Sequence, residues 1–386
     1  MNFVALKMLI GDRAKYLGLV TGLAFASLLI TQQAAIFIGI MIRTCNTITD
    51  MSYPDIWVMD PKVRFIEDFK PLQDTQLYRI RSVEGVDWAV PLYKGLIKAR
   101  LANGAFETCI VLGLDDATLI GGPPGMIEGS LEDLRRSDAV FVDSFGAASK
   151  LAHPPAYPGG PRSPLRAGDT LELNDHRAVV TGICRVSRTF QDQPVIFTTY
   201  SRATLFAPIE RKLLTFVLAK AGPGQDKQEL CDRIQRVTGL AAYTREQFCD
   251  MTVDYFLKYT AIPLNFGIAV TLGFIVGTAI AGQIFYNFTL DNLRHFAALK
   301  AMGATNRQLL GMILLQALFV GGIGYGIGVG MAAAIGHALK DTNLSFRLPW
   351  QLMLISAGVI GLIIVISAVF SMRRVLRLEP AIVFKN

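Results

Sequence analysis

Histidine and cysteine supply many catalytic and metal-ligating side chains, and this chain of 386 residues has 4 histidines and 5 cysteines. The zinc pattern H-E-x-x-H, the pattern C-x-x-C and the nucleophile pattern G-x-S-x-G are all absent. The pattern G-x-x-x-x-G-K-[ST] is also absent, which excludes ATP binding through a P-loop. We therefore expect neither an enzyme nor a resident cofactor or metal. The histidines are scattered, and each is interpreted as solvated or locally paired: His153, His176, His295 and His337.

The cysteines all fall between two long apolar stretches of the chain. An oxidising compartment would allow disulfides there. The sequence leaves two possibilities open, a bond between Cys231 and Cys249, or mostly free, buried thiols. The five positions are Cys45, Cys109, Cys184, Cys231 and Cys249.

Long charge-free intervals predict membrane helices. A bilayer crossing needs about 20 apolar residues, and each interval exceeds that length. Buried helices of a large soluble core are the alternative, but such helices rarely exceed about 14 apolar residues. The charged fraction of 18% is also low for a soluble chain. The intervals are Leu17–Ile42, Tyr259–Leu290, Gln308–Leu339 and Leu348–Met372.

The basic residues predict the orientation of these helices. The formal net charge is +7, but residues 43–258 are close to neutral, so the basic excess lies elsewhere. The positive-inside rule places that excess in the cytoplasm, at contact with lipid headgroups rather than nucleic acid. Residues 43–258 would then be extracytoplasmic, and both termini cytoplasmic. The basic residues concerned are Lys7, Arg13, Lys15, Arg294, Lys300, Arg307, Arg373, Arg374, Arg377 and Lys385.

These patterns predict a membrane protein with four transmembrane α-helices and a large α+β extracytoplasmic domain between helices 1 and 2. We expect the first apolar run to be an uncleaved anchor, because it is too long for a signal peptide. The expected segments are an amphipathic cytoplasmic helix (1–16), helix 1 (17–42), the extracytoplasmic domain (43–243), a stalk continuous with helix 2 (244–290), a cytoplasmic helix and loop (291–307), helix 3 (308–339), an external loop (340–347), helix 4 (348–372) and a cytoplasmic tail (373–386).

Alternating apolar residues predict strands in the external segment, at 55–60, 85–93, 106–114 and 138–144. Residues 168–186 predict a hairpin with its turn at "LNDHR". Residues 225–239 predict a helix ended by a glycine, and Thr244 a helix cap with Gln247 or Glu246. The loop His153–Pro164 and the surface Phe190–Tyr200 are candidate docking sites, with a plain loop and a plain strand as the alternatives.

Small residues recur at helical spacing in the predicted membrane helices. Such faces allow close approach between helices. They predict either a functional surface, which would be a dimer seam or a sliding surface, or ordinary packing within one four-helix unit. The main positions are Gly322, Gly326 and Gly330 in helix 3, with Gly324 and Gly328 on a neighbouring face, and Gly273 and Gly277 in helix 2.

The stretch "NLRHFAALKAMGATNRQLLGMILLQ", which opens the third apolar run, resembles the FtsX/MacB-type ABC transporter permeases. The ending "RRVLRLEPAIVFK" and the start "FVALKMLIGDRAKYLGLV" are similar to the same family, in outline over the whole chain. The stretch "FTLDNLRHFAALKAMGA" is most similar in appearance to the DevC-type subfamily. The charge-free helices hold no Asp, Glu, Lys or Arg, which argues against an ion-coupled transporter and agrees with this resemblance.

The resemblance implies two permease chains, as a homodimer, working with two copies of an ABC ATPase that binds ATP and Mg. The helix from about Asp291 to Ala304 would dock in a groove on each ATPase. Apolar contacts would come from Leu293, Phe296, Leu299 and Met302, and rim contacts from Arg294, Lys300 and Arg307, with Gly303 ending the helix.

The resemblance implies an exporter permease that transmits ATPase motion across the membrane, in a tripartite assembly with a membrane-fusion protein and an outer-membrane channel. The substrate would be a lipid, glycolipid, peptide or drug-like molecule. Two alternatives are an FtsX-like subunit that activates a cell-wall hydrolase and a lipoprotein-releasing permease. The external segment is large for a minimal hydrolase activator, which favours export.

Overall fold

The computed structural model describes residues 2–155, 157, 160–208, 214–339, 342 and 344–376, without the side chains of residue 2 and residues 372–376. The basic C-terminal residues Arg373, Arg374, Arg377 and Lys385 lie outside the described residues or side chains, and so does part of the 153–164 loop. The chain divides into two compact units, residues 1–40 with 261–386, and residues 41–260. We call them the membrane unit and the α+β unit.

The helices of the chain are α1 (Asn2–Gly11), α2 (Arg13–Asp50), α3 (Thr75–Arg81), α4 (Ser144–Ala148), α5 (Tyr200–Phe206), α6 (Lys227–Thr238), α7 (Arg245–Tyr259), α8 (Ile262–Asp291), α9 (Leu293–Ala301), α10 (Asn306–Ala338) and α11 (Trp350–Leu376). The strands are β1 (Ile56–Met59), β2 (Val86–Arg100), β3 (Phe106–Leu114), β4 (Gly125–Glu128), β5 (Ala139–Asp143), β6 (Thr170–Leu173), β7 (His176–Arg185), β8 (Val195–Thr199), β9 (Phe216–Ala221) and β10 (Ala241–Thr244).

Four helices are long and apolar enough to cross a membrane, which agrees with the four charge-free intervals. They are α2, α8, α10 and residues 350–371 of α11. Large apolar side chains remain exposed along α8, such as Leu264 and Leu272, as expected where a helix faces lipid. The core of the membrane unit is one apolar cluster to which α1, α2, α8, α9, α10 and α11 all contribute.

The α+β unit contains a closed ring of paired strands. The ring runs β2–β3–β8–β5–β7–β6 and returns to β2, where Ala99 pairs with Leu173. Closure removes unpaired strand edges, which otherwise invite association with other chains. The predicted hairpin is confirmed as β6–β7, with positive φ at Asn174 and Asp175, as a two-residue type I′ turn requires. Strand β3 lies at the predicted residues and is buried on both faces at its end, which explains its continuous apolar run.

A second group of strands extends from the N-terminal half of β2, in the order β10–β1–β9–β2. Helices α3 and α6 pack with these strands around Ile56, Ile80 and Ile234. The predicted caps are confirmed here. Gly239 ends α6 with φ +73, and Thr244 caps α7 through a capping box with Gln247.

The predicted continuous stalk through residues 244–290 is wrong. Helix α7 ends at Tyr259, Thr260 has an extended backbone, and α8 begins at Ile262. Pro263 explains the interruption, because proline has no N–H to donate and its ring would clash with the carbonyl of Tyr259 in an unbroken helix. In the first turn of α8 the missing donor costs nothing.

Candidate coupling site

A short helix, α9, connects two of the membrane-length helices. It begins at Leu293, directly after Asn292, which donates from Nδ2 to the carbonyl of Phe288 at 2.9 Å and so caps the end of α8. Its last turn closes in a Schellman motif, in which Ala304 N–H donates to Leu299 O at 3.0 Å and Gly303 N–H to Lys300 O at 3.1 Å. The motif requires positive φ after the C-cap, and Gly303 supplies it with φ +95.

The start of α10 fixes the other side of this turn. Thr305 accepts from Gln308 N–H through its hydroxyl, and the Gln308 side chain accepts from Thr305 N–H at 2.9 Å, which completes a capping box. The turn between α9 and α10 is therefore held by backbone and side-chain hydrogen bonds at both ends.

Phe296 is not an outward contact, which corrects its predicted role as a docking side chain. It is 0% exposed and lies in the core of the membrane unit with Phe288, Leu309 and Ala5. Leu293 and Leu299 are partly buried against the same core. The apolar face of α9 packs into its own chain and anchors the helix there.

A different set of side chains on and after α9 faces solvent. Met302 is 76% exposed although it is apolar, and Arg294, His295 and Arg307 are also exposed. Lys300 is half-buried. Of the predicted coupling residues, the exposed ones are therefore Arg294, Met302, Gly303 and Arg307.

Polar contacts that no sequence motif marks hold the membrane helices around α9. Lys15 on α2 pairs with Asp291 at the end of α8, and also with Asp12 at 2.7 Å. Thr289 on α8 and Ser371 on α11 are hydrogen-bonded through their hydroxyls, and both are buried. The buried amide of Gln316 on α10 donates to the carbonyl of Ala5 on α1 at 2.7 Å. The scarcity of acidic residues around Asp291 is a signal for the pair with Lys15 alone.

The predicted packing glycines behave in two ways. Gly273 lies against Leu29 and Ile30, and Gly277 against Ala26 and Ile363, so the α8 glycines pack within the chain. On α10 the face that packs against α2 is Gly324 and Gly328, which meet Leu23, Ala24 and Ser27. A β-carbon added at Gly322, Gly326 or Gly330 would have no atom within 4 Å. Those three glycines form an open face of the described membrane unit.

The disulfide in the α+β unit joins Cys45 on α2 to Cys249 on α7, with a Cα–Cα distance of 5.3 Å. The suggested pair of Cys231 with Cys249 is wrong, because Cys231 is a free, buried thiol on α6. The alternative of mostly free, buried thiols holds for Cys109, Cys184 and Cys231. The sequence spacing of 204 residues concealed the true pair.

Three further contacts hold the end of α2 against the segment that follows β7. Arg43 pairs with Asp192 at 3.0 Å, and Asn46 Nδ2 donates to Arg188 O at 2.8 Å. Asp50 accepts from the backbone N–H of Ser187 at 2.7 Å. Positions 43, 46 and 50 share one face of a helix, so α2 presents a polar stripe to this segment.

The surface predicted at Phe190–Tyr200 is not a free docking surface over most of its length. Residues Val195–Thr199 form β8, which is buried and pairs with β3 and β5. Phe190 packs on Phe256 of α7, with 4.7 Å between ring centroids. The other candidate docking site is the loop that begins at His153. Among its described residues, His153 and Ser163 form an antiparallel β-bridge, and Tyr157 is exposed.

A buried cation lies at the middle of β2. Lys94 is 1% exposed, donates from Nζ to the carbonyl of Ile66 at 3.2 Å, and lies 5.4 Å from the ring centroid of Phe69. Burial lowers the pKa of Lys94 to about 8, and the charge of Glu67 opposes that shift. No motif marks this lysine in the sequence.

Comparison with known proteins identifies relatives of the chain. Residues 255–380 match the family described as FtsX-like permease C-terminal. An uncharacterized ABC transporter permease of Mycobacterium tuberculosis is 25% identical over 320 residues, which cover 81% of this chain and 79% of that protein. The putative hemin transport system permease protein HrtB of Staphylococcus haemolyticus is 21% identical over 218 residues, 56% of this chain and 58% of that protein.

Two solved structures resemble part of this chain, at lower sequence identity than the relatives above. The periplasmic region of MacB from Actinobacillus actinomycetemcomitans has a TM-score of 0.37 at 12% identity, over 55% of this chain and 96% of that one. The extracellular domain of the noncanonic ABC-type transporter YknZ from Gram-positive bacteria has a TM-score of 0.34 at 12% identity, over 50% and 98%. The chain is therefore similar to ABC transporter permeases along most of its length, and to FtsX-like permeases at residues 255–380.

Proposed function

We propose that this permease transmits the motion of a separate ABC ATPase through its membrane helices to the α+β unit. The observation that carries the proposal is the construction of α9. This helix connects two membrane-length helices, is anchored by the buried Phe296, and presents Met302 and Arg294 to solvent. Because α9 is packed into its own chain on one face and exposed on the other, a displacement of α9 by a partner would also displace α8 and α10.

The ATPase contact in this proposal uses the exposed residues of the segment. Met302 is the apolar contact, and Arg294 and Arg307 are rim contacts to acidic groups of the ATPase or to lipid phosphate. Leu293, Phe296 and Leu299 anchor the helix from inside. ATP and Mg would be bound by two ATPase copies, since this sequence has no P-loop pattern.

A second permease chain would complete the membrane part. The open face of Gly322, Gly326 and Gly330 supports this step, because glycines at this spacing let two helices approach closely. We place both termini in the cytoplasm and the α+β unit outside, on the distribution of basic residues.

The transport task that fits this arrangement is export. The four membrane-length segments contain no acidic or basic residue at mid-helix that could bind a coupling ion, so the energy must come from the partner ATPase. The exported molecule would be a lipid, glycolipid, peptide or drug-like compound, in an assembly of DevC type with a membrane-fusion protein and an outer-membrane channel. A hydrolase-activating or lipoprotein-releasing role is the alternative, which a neighbouring gene for a coiled-coil hydrolase would favour.

The experiment is to co-purify the permease with its ATPase, and to compare Met302→Asp with Phe106→Asp. Both residues are exposed and apolar, Met302 at 76% and Phe106 at 62%, but Phe106 lies in the α+β unit. A charge in the apolar centre of the contact should lower the ATPase retained by at least about tenfold. Equal retention by wild type and Met302→Asp would contradict the proposal.

A further inference from the structure

Three ionisable side chains meet where α1 turns into α2 and where α8 turns into α9. The ammonium of Lys15 lies 2.7 Å from Asp12 Oδ2 and also pairs with Asp291 Oδ2. The backbone N–H of Lys15 donates to Asp12 Oδ1 at 3.3 Å. We call Asp12, Lys15 and Asp291 the Lys15 cluster.

The composition of the membrane unit makes this cluster unusual. Only four acidic residues occur in residues 1–40 and 261–386, and two of them meet at one lysine. Basic residues are far more numerous there, so the pairing is not a by-product of abundant acids. The four are Asp12, Asp291, Asp341 and Glu379.

The cluster joins elements that are distant in sequence. Lys15 belongs to the first turn of α2, and Asp291 is the last residue of α8, two residues before α9 starts. An isolated exposed ion pair contributes little, but Lys15 is held by two carboxylates that reach it from two directions. The side chains are partly exposed, Lys15 at 31%, Asp12 at 36% and Asp291 at 56%. They can therefore separate without leaving an unpaired charge buried.

Apolar packing beside the cluster connects the same elements. Ala5 and Leu9 of α1 belong to the same buried cluster as Phe296 of α9 and Leu309 of α10. Gln316 fixes α1 to α10 through the carbonyl of Ala5. Helix α1 is therefore attached to α9 and α10. The Lys15 cluster adds a polar contact between the start of α2 and the end of α8.

We infer that Lys15 is a positioning residue that makes the start of α2 follow the end of α8, and with it α9, when the ATPase moves α9. The inference rests on the proposed coupling function and adds a route to it. Motion would reach α2 through the Lys15–Asp291 contact, besides reaching α8 and α10 through the chain itself.

The test measures amide hydrogen exchange in the co-purified permease–ATPase complex, with and without a non-hydrolysable ATP analogue. In the wild type we expect the analogue to change exchange both in residues 293–304 and in residues 13–20 of α2. With Lys15→Met the response of 293–304 should persist, while that of 13–20 falls by at least about twofold. Lys7→Met is the matched control, because Lys7 is an exposed lysine of α1, and it should respond as the wild type does.

Two further variants separate positioning from a general loss of structure. Lys15→Arg keeps the charge and should restore the response of 13–20, and Asp291→Asn should reproduce the loss seen with Lys15→Met. An unchanged response of 13–20 in both Lys15→Met and Asp291→Asn overturns the inference and leaves the coupling function intact. A wild-type permease that does not retain the ATPase, or whose residues 293–304 do not respond, overturns the proposed function instead.

Discussion

At the scale of single residues, Lys94 has an environment that is unusual for a lysine, because its side chain is buried. An ammonium group loses hydration when it is buried, and here it gains the Ile66 carbonyl and the ring of Phe69 in return. Burial lowers the pKa of Lys94 to about 8, with only the charge of Glu67 acting against it. The folded chain therefore releases a proton from Lys94 at a pH where the unfolded chain still holds it.

This difference predicts a pH dependence of stability. Between pH of about 8 and about 10.5 the unfolded state binds more protons at this site, so the free energy of unfolding should rise with pH. We expect the wild type to gain up to about 3 kcal/mol relative to Lys94→Met across that window. The measurement is denaturant unfolding of the purified chain, followed by fluorescence of the buried Trp57.

Lys98→Met provides the control, because Lys98 is an exposed lysine on the same strand. Its unfolding free energy should keep a constant offset from that of the wild type over the same pH range. If the free energies of unfolding of the wild type and Lys94→Met change with pH in parallel, the folded state does not disfavour the charged lysine.

Phe296 shows where residue-level prediction reaches its limit. Its spacing with Leu293 and Leu299 gives α9 an apolar face, which the sequence predicts correctly. An apolar face is the same signal whether it packs into a partner or into its own chain. The structure places it in its own chain, and only the burial of α9 against α1 and α10 could reveal this.

At the scale of elements, covalent and polar contacts fix the end of α2 in the α+β unit. A disulfide joins it to α7, and Arg43, Asn46 and Asp50 bind the segment Ser187–Asp192. The helix that enters this unit and the helix that leaves it are thus covalently linked near its two chain ends. We expect the bond to stabilise the unit, because closing a long loop restricts the unfolded chain.

Counting free thiols tests this pairing. In the denatured, unreduced chain we expect three labelled cysteines, Cys109, Cys184 and Cys231. Cys45→Ser should release Cys249 and add one label, whereas Cys231→Ser should remove one. The readout is the mass shift from a thiol-reactive tag. An added label in Cys231→Ser would mean that Cys231, not Cys45, is the partner of Cys249.

Local signals predicted many elements well and long-range contacts poorly. The β6–β7 hairpin, strand β3 and the caps of α6 and α7 depend on turn residues, alternation and capping side chains, which are adjacent in the sequence. The break between α7 and α8 was signalled by Pro263, but the apolar run that follows hid it. The pairing of Cys45 with Cys249 and the closure of the strand ring depend on the fold, which no local pattern contains.

At the scale of the whole molecule, the two units are connected by the chain at two places. One is inside α2, which runs without interruption from Arg13 to Asp50, and the other is the step from Thr260 to Ala261 between α7 and α8. The first connection is a helix and the second is an extended residue, so the two differ in stiffness. In the proposed mechanism α2 carries motion as an unbroken helix, which gives weight to the contact of Lys15 with Asp291 at the end of α8.

The most direct test of the central claim is site-specific photocrosslinking in the permease–ATPase complex. A photoreactive amino acid at position 302 should form an adduct with the ATPase, because Met302 is the exposed apolar residue at the end of α9. The same amino acid at Leu318, which is 50% exposed on the membrane-length helix α10, should form none. An intact complex that gives an adduct at 318 but none at 302 would contradict the account, since the ATPase would then bind elsewhere.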